Sequence, residues 1–532
     1  MVGWVVVGIL VGCSSASDPR PNILVIVADD LGYTDLGSFG GEIQTPHLDG
    51  LARSGLRFTN FHAGPSCAPT RAMLMTGLDH HLAGMGSQGS LATDNQQRSP
   101  AYQNTLSREV PTIAEKLRAA GYATLASAKW HLGKASQDLP GARGFDRSLV
   151  LLEGGGGHFD ATPLFKSYGQ ATWLEDDAPL VLPEDFYSSD FMTTKLLSYI
   201  AAVPQDRPYF AYLGYTAPHW PLQAPAADID KYREVYHEGW DALREARMRG
   251  VRREGLVVAT AQAVAHEPGT EVWAALDGAA QAVAVKKMQV YAAMVDRLDQ
   301  NVGRLLDALE RRGDLDNTLI FFMADNGAEA HLMEFYAGND VWVPENFDNR
   351  LDNIGTISSY VTLGPSWARA TAAPFRDSKS KVAEGGIRVP AFLHWPGARV
   401  GIDTDYLRVM DLTPTFLTLA GAEWEHGGRS HLQAGRSALG NWLEGGPVYA
   451  DEEFIAMEAF DRRMVQRGDW KALRQPPPYG TGQWQLYHVG RDPGEQEDLV
   501  EEHPEVLADL LQGYARYAEE VGVIVPDSVI PY

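Results

Sequence analysis

One of only two cysteines in the 532-residue chain, Cys67, stands in the string Ser66-Cys67-Ala68-Pro69-Thr70-Arg71-Ala72-Met73-Leu74-Met75-Thr76-Gly77. Pro69 suits the first turn of a helix, where a missing N–H costs nothing, and Ala72-Met73-Leu74-Met75 favour helix. The spacing predicts a thiol at a helix N-terminus, where free N–H groups and the macrodipole attract anions. A lone cysteine is ordinarily a small buried hydrophobe. Here a proline two residues on, an arginine four on and a closing Thr-Gly argue for chemistry. Asp29-Asp30 sets two carboxylates side by side, which repel unless a cation lies between them; a solvated turn is the plain alternative. Lys129 with His131, then His219, then Asp325 with Asn326 are further polar groups that follow apolar runs.

Those runs are the elements that must position the chemistry. Asn22–Ala28 is a continuous β-branched stretch, as expected of a strand buried on both faces of a parallel sheet. Residues 123–128, 209–215 and 318–324 repeat the pattern, leading into Lys129-Trp130-His131, Ala217-Pro218-His219-Trp220-Pro221 and Asp325-Asn326-Gly327. Open α/β sheets bind ligands at the carboxyl ends of their strands. Amphipathic helices are predicted over 112–120 and 288–309, and the alternation gives a doubly wound α/β fold. After about residue 440, short strands at 463–466, 470–474 and 484–488 and a helix at 504–520 predict a small antiparallel sheet plus helix. The predicted organisation is 1–20 leader and tether, 21–440 catalytic domain and 441–532 C-terminal α+β domain. Residues 228–280 are expected to form an insertion shaping one wall of the cleft, with 331–368 a second insert able to widen it. Gly154-Gly155-Gly156-Gly157 reads as a flexible loop, with no strand or following helix to make it a phosphate loop. His80, His81 and His158 are expected at the surface or in the cleft, without a role.

Composition narrows the function. A formal net charge of −24 argues against nucleic acid as a partner and requires any anionic substrate to be attracted locally. Val2 to Gly12 is an uncharged apolar run, too short to span a bilayer but right for a signal-peptide core. It leads into Leu10-Val11-Gly12-Cys13-Ser14, which resembles a bacterial lipobox, with Cys13 as the lipid attachment site and 14–18 as tether. No Lys or Arg precedes the run, and a misplaced start or loose tail is the alternative. The lipobox reading implies an exported, periplasmic or outer-membrane-anchored protein. With Cys13 lipidated and Cys67 modified, no disulfide is expected.

Cys-x-Pro-x-Arg, a short apolar helix and Thr-Gly together resemble the signature of the type I sulfatases, whose cysteine is oxidised by a dedicated maturation enzyme to the aldehyde formylglycine. Further motifs occur in the same order as in that family: Asp29-Asp30, Lys129-Trp130-His131, Ala217 to Pro225, Lys379 five residues before Glu384-Gly385-Gly386, and Gln485-Leu486-Tyr487 with Arg491 to Glu495. The chain resembles most the calcium-dependent bacterial arylsulfatases of the pseudomonad type. The resemblance implies an alkaline-phosphatase-like fold, a large mixed, mostly parallel sheet flanked by helices, with a smaller C-terminal domain. By position it implies Asp29, Asp30, Asp325, Asn326 and the modified residue 67 as ligands of a divalent cation. An all-oxygen set suits a hard ion, and the resemblance selects Ca²⁺ over Mg²⁺. It further implies Arg71 stabilising the deprotonated diol, Lys129 and Lys379 clamping sulfate, His219 protonating the leaving alcohol and His131 taking the proton that releases sulfate. Lys381 is a competitor for the role of Lys379. The implied activity is hydrolysis of aryl or alkyl sulfate esters. The alternatives are a phosphodiester or phosphonate monoester hydrolase of the same superfamily, and a non-catalytic lipoprotein binding sulfated glycans.

Overall fold

Every residue of Asn22–Ala28, Ala123–Lys129, Tyr209–Gly214 and Thr318–Ala324 is buried, so each strand is covered on both faces. A computed structural model describes residues 20–257, 261–262, 270–424 and 428–532. The expected leader, Cys13 and the tether lie outside the described residues. Among the described residues no helix is long and apolar enough to cross a membrane.

The four strands join Arg147–Leu151 as the parallel centre of a ten-stranded sheet. Ala391–His394 runs antiparallel to Thr318–Ala324 on one side, and Trp173–Glu175 antiparallel to Arg147–Leu151 on the other. Register brings the chemistry level. Ala28 pairs with Ala324, and Gly214 lies opposite both Val27 and Ala128. Asp29, Asp325, Lys129 and the loop to His219 therefore emerge at one edge. Lys129 is the last residue of its strand, opposite Leu151, rather than part of the following turn. Helices cover the faces. Ile113–Ala119 starts at a reciprocal capping box between Thr112 and Glu115. Gly278–Arg312 runs 35 residues, beginning ten residues before the periodic stretch because its first turns are alanine-rich and capped by Asp277.

The C-terminal unit has four antiparallel strands, Ile455–Ala459, Arg462–Arg467, Trp470–Arg474 and Trp484–His488, with helix Pro504–Val521 against them. Its first strand was not among those expected, since Ala456-Met457-Glu458-Ala459 lacks β-branched residues after Ile455. Trp442 is buried in the large core, stacked on Phe321 with ring centroids 5.8 Å apart.

His80, His81 and His158 are buried, not exposed, and each finds a partner that no linear pattern reveals: His80 Nδ1 lies 2.9 Å from Met85 O, and His158 Nδ1 2.7 Å from Ser188 Oγ. His81 lies between carboxylates of the two units: Nδ1 is 2.9 Å from Asp79 Oδ1 and Nε2 3.0 Å from Glu458 Oε2. Tyr517 donates to Asp79 at 3.0 Å. Burial alone would discharge the imidazole, but Asp79 and Glu458 hold its pKa up at about 9. A raised folded-state pKa means that this contribution to stability is complete below about pH 6.5 and is lost as pH rises through about 9. His81→Gln is expected to cost about 3–5 kcal/mol near pH 6, by leaving buried carboxylates without their cation. Thermal unfolding of both proteins should show the gap shrinking by about pH 10; a constant gap would contradict the charged clamp.

Candidate active site

Helix Cys67–Thr76 has the limits read from the sequence: Ser66 precedes it in extended conformation and Gly77 ends it in left-handed conformation, φ 67°, its N–H donating to Met73 O. Cys67, its first residue, points its Sγ to 3.4 Å from Asp29 Oδ1 and 3.8 Å from Asp30 Oδ1. Lys129 Nζ donates to both oxygens of Asp29 at 2.7 and 2.9 Å. Lys379 Nζ lies 2.8 Å from Asp30 Oδ2, whereas Lys381 Nζ stands over the Tyr479 ring at 4.3 Å; Lys379 is the lysine brought to the site. His219 Nε2 is 3.5 Å from the same Asp30 oxygen, and its Nδ1–H donates to Trp220 O at 2.7 Å. Arg71 donates to Asp325 Oδ2, to Lys129 O and to the Tyr212 hydroxyl at 2.8–3.2 Å. It orders the carboxylates from behind. Asp325 Oδ1 accepts the Asp30 N–H, and Asn326 Nδ2 lies 2.7 Å from Asp30 Oδ1. His131 lines the same cleft with Cys67, His219 and Lys379. Asp30 and His131 both take left-handed backbone conformations, φ 66° and 56°, uncommon for non-glycine residues and typical of functional sites.

Several participants carry no signal in the linear pattern. Glu329, buried, lies 3.1 Å from Lys379 Nζ and 2.6 Å from His331 Nδ1, and accepts from the Tyr336 hydroxyl at 3.2 Å. His158 Nε2 donates to His219 O at 2.9 Å, fixing the backbone of that histidine. The glycine loop follows strand Arg147–Leu151 and packs closely. A Cβ on Gly154 would come within 2.7 Å of the His131 ring, and one on Gly155 within 3.1 Å of His219 Nδ1. Close approach, not flexibility, accounts for these two glycines. The described residues of 228–280 do not line the cleft. Their helix Gly239–Arg253 packs behind it and pairs Arg247 with Asp35. The wall comes instead from residues within 88–97 and 164–168, from Phe335 and Tyr336 within the second expected insert, and from residues 527–532. The hydroxyl of Tyr532 lies 3.0 Å from Ser66 Oγ.

The sulfatase family model matches residues 21–422. The chain belongs to the sulfatase family. It is 38% identical to an uncharacterized sulfatase of Schizosaccharomyces pombe, over 97% of this chain and 96% of that one. It is also 38% identical to an arylsulfatase of Klebsiella aerogenes, over 77% and 89%. The solved structure of Ps i-CgsB in complex with k-i-k-neocarrahexaose superposes with a TM-score of 0.67 at 26% identity, covering 94% and 93%. The expected fold is the observed one, and as a sulfatase the chain is a sulfuric ester hydrolase.

This sulfatase site fits a hard cation. Three carboxylates converge, and Asn326 Oδ1 is buried without a partner. Side-chain donors of Asp29, Asp30, Cys67 and His219 all lie within 4.8 Å of one another. Burial first, then Asp325, raises the Asp29 pKa to about 7; burial outweighs Lys379 and, with Glu329, raises Asp30 to about 6. Asp325 is held below the ordinary range, since Arg71, Lys129 and Lys379 overcome its burial. The sign follows. Without a cation, Asp29 and Asp30 favour protonation, so the stability they lend is complete below about pH 4 and lost as pH rises through about 6 and 7. A bound cation must displace those protons. The rise in thermal midpoint on adding calcium or magnesium to chelator-treated protein is expected to be larger at about pH 8 than at about pH 5; an equal or larger rise at the lower pH would contradict the assignment.

Proposed function

We propose that the chain is an arylsulfatase-type enzyme that hydrolyses aryl or alkyl sulfate monoesters, with Cys67 oxidised to formylglycine and Ca²⁺ bound by Asp29, Asp30, Asp325 and Asn326. The observation that carries this reading is the seat of Cys67, at a helix N-terminus between two carboxylates and beneath two lysines. Burial and Asp325 push the thiol pKa well above its ordinary value. The thiolate, not the thiol, is the nucleophile, so an unmodified Cys67 is a poor one here. The hydrated aldehyde at residue 67 would supply the attacking hydroxyl, and a cation held by Asp29, Asp30, Asp325 and Asn326 would supply Lewis acidity at that hydroxyl and at the sulfuryl oxygens.

The remaining roles belong to residues of the chain. Lys129 and Lys379 aim ammonium groups at the charge that grows on sulfate, an effect worth several kcal/mol, roughly, in a dry site. His219 protonates the leaving oxygen through Nε2, the nitrogen left open by the Trp220 contact. Burial and then Lys379 and Lys129 hold its pKa well below the ordinary value; an anionic ester seated among those lysines opposes their effect. His131, kept neutral by burial and by Lys129 and Arg71, accepts the proton whose loss releases sulfate. Glu329 holds Lys379 in place. A maturation enzyme is the implied partner, and export with Cys13 as lipid anchor rests on the lipobox-like sequence.

The test is leaving-group dependence. His219→Ala is expected to lower kcat/KM for alkyl sulfates by about 10²–10⁴, and much less for 4-nitrophenyl sulfate, whose leaving group needs no proton. Equal losses on both would remove His219 as the acid. A higher kcat/KM for a phosphodiester than for its sulfate counterpart would favour the alternative activity.

A further inference from the structure

The leaving-group side of the cleft has a composition of its own. Beginning at His219, rings form an unbroken strip: Trp220 stacks on His219 at 5.5 Å between centroids and on Tyr336 at 5.0 Å. Phe165 meets Tyr336 at 5.4 Å and Tyr168 at 5.3 Å. The strip runs from the acid outward to the rim, where Tyr168 and Phe335 stand 41% and 40% exposed. The cavity it lines measures about 1020 Å³, enough for a leaving group of several rings.

Residues 527–532 contribute a second part of the lining. Tyr532 anchors them. Its hydroxyl meets Ser66, its ring stacks on His331 at 5.1 Å and meets Phe460 edge-on at 4.9 Å, and its carbonyl accepts from Arg462. Ile530 is buried in the same cluster, so Asp527 and Val529 are left exposed at the rim. Charge is the second observation. Among the described residues lining the cleft, Lys379 is the sole lysine or arginine, and it sits at the floor with Cys67. The charged side chains higher up, Asp94 and Asp527, are both acidic. Lys134 lies over the Tyr168 ring, but Glu153 takes its charge at 2.8 Å.

We propose that the leaving group lies along the strip from Trp220 to Tyr168, that residues 527–532 border it, and that the site thereby selects sulfate monoesters whose leaving group has a flat or apolar face and no second anionic group. Stacking against these rings adds attraction beyond the burial of apolar area. A second sulfate would meet Asp94 and Asp527 without a counter-charge. The proposal rests on the sulfatase mechanism above and sharpens its substrate class.

The experiment compares kcat/KM of the aldehyde-bearing enzyme for 4-methylumbelliferyl sulfate and for a disulfated disaccharide, in the wild type, Phe165→Ala and Asp527→Lys. The wild type is expected to favour the aryl ester by at least about a hundredfold. Phe165→Ala should raise KM for the aryl ester about tenfold with kcat changed less than about twofold, the mark of lost leaving-group contact. Asp527→Lys, a change at an exposed position, should narrow the preference several-fold. A wild type that prefers the disulfate, or a preference unmoved by both substitutions, would overturn the proposal. Absence of turnover on either ester by protein carrying the aldehyde would instead overturn the mechanism beneath it.

Discussion

Three carboxylates crowd a site from which water is excluded, and the architecture answers that constraint. Asp29, Asp30 and Asp325 leave neighbouring strands that the sheet holds about 4.8 Å apart, so their repulsion is built into the fold. Lys129 takes Asp29, Lys379 takes Asp30, and Arg71 takes Asp325. Each cation comes from a different part of the chain, so the cluster forms only when the tertiary structure does. The balance is incomplete, as the raised pKa values of Asp29 and Asp30 show. The hard dication proposed above would satisfy that residual preference for positive charge.

The second layer keeps the first from collapsing. Glu329 prevents Lys379 from belonging to Asp30 alone, and His158 pins the carbonyl of His219 so that its ring faces the cleft. Gly154 and Gly155 let the backbone press against the imidazoles of His131 and His219. Just beyond helix Cys67–Thr76, Asp79 and His81 reach Glu458, and the turn after that strand brings Phe460 against Tyr532. The small C-terminal unit is thus tied to the catalytic helix at two places and returns to line its cleft.

What the linear chain disclosed follows from this arrangement. Strands buried on both faces read as unbroken apolar runs, and a polar residue directly after such a run has few structural explanations; Asp29, Lys129 and Asp325 stood out for that reason. The limits of helix Cys67–Thr76 were legible from Pro69 and Gly77. Glu329, His331 and Tyr532 were not, because they lie in loops or tails without periodicity and matter only through neighbours far along the chain. The sequence alone places His80 and His81 at the surface or in the cleft, because a buried imidazole has the same sequence appearance as a solvated one. The composition of segment 228–280 suggests a wall of the cleft but says nothing about which side of the sheet it covers.

Burial and Asp325 favour the protonated thiol of Cys67, a poor nucleophile, at the position to which the proposed mechanism assigns the attack. Conversion of that side chain to an aldehyde is therefore the central claim. It is tested most directly by the mass of the peptide containing residue 67, taken from enzyme that is active on an aryl sulfate. The account requires the aldehyde or its hydrate at residue 67, in proportion to specific activity. An intact thiol at that residue in fully active enzyme would contradict it.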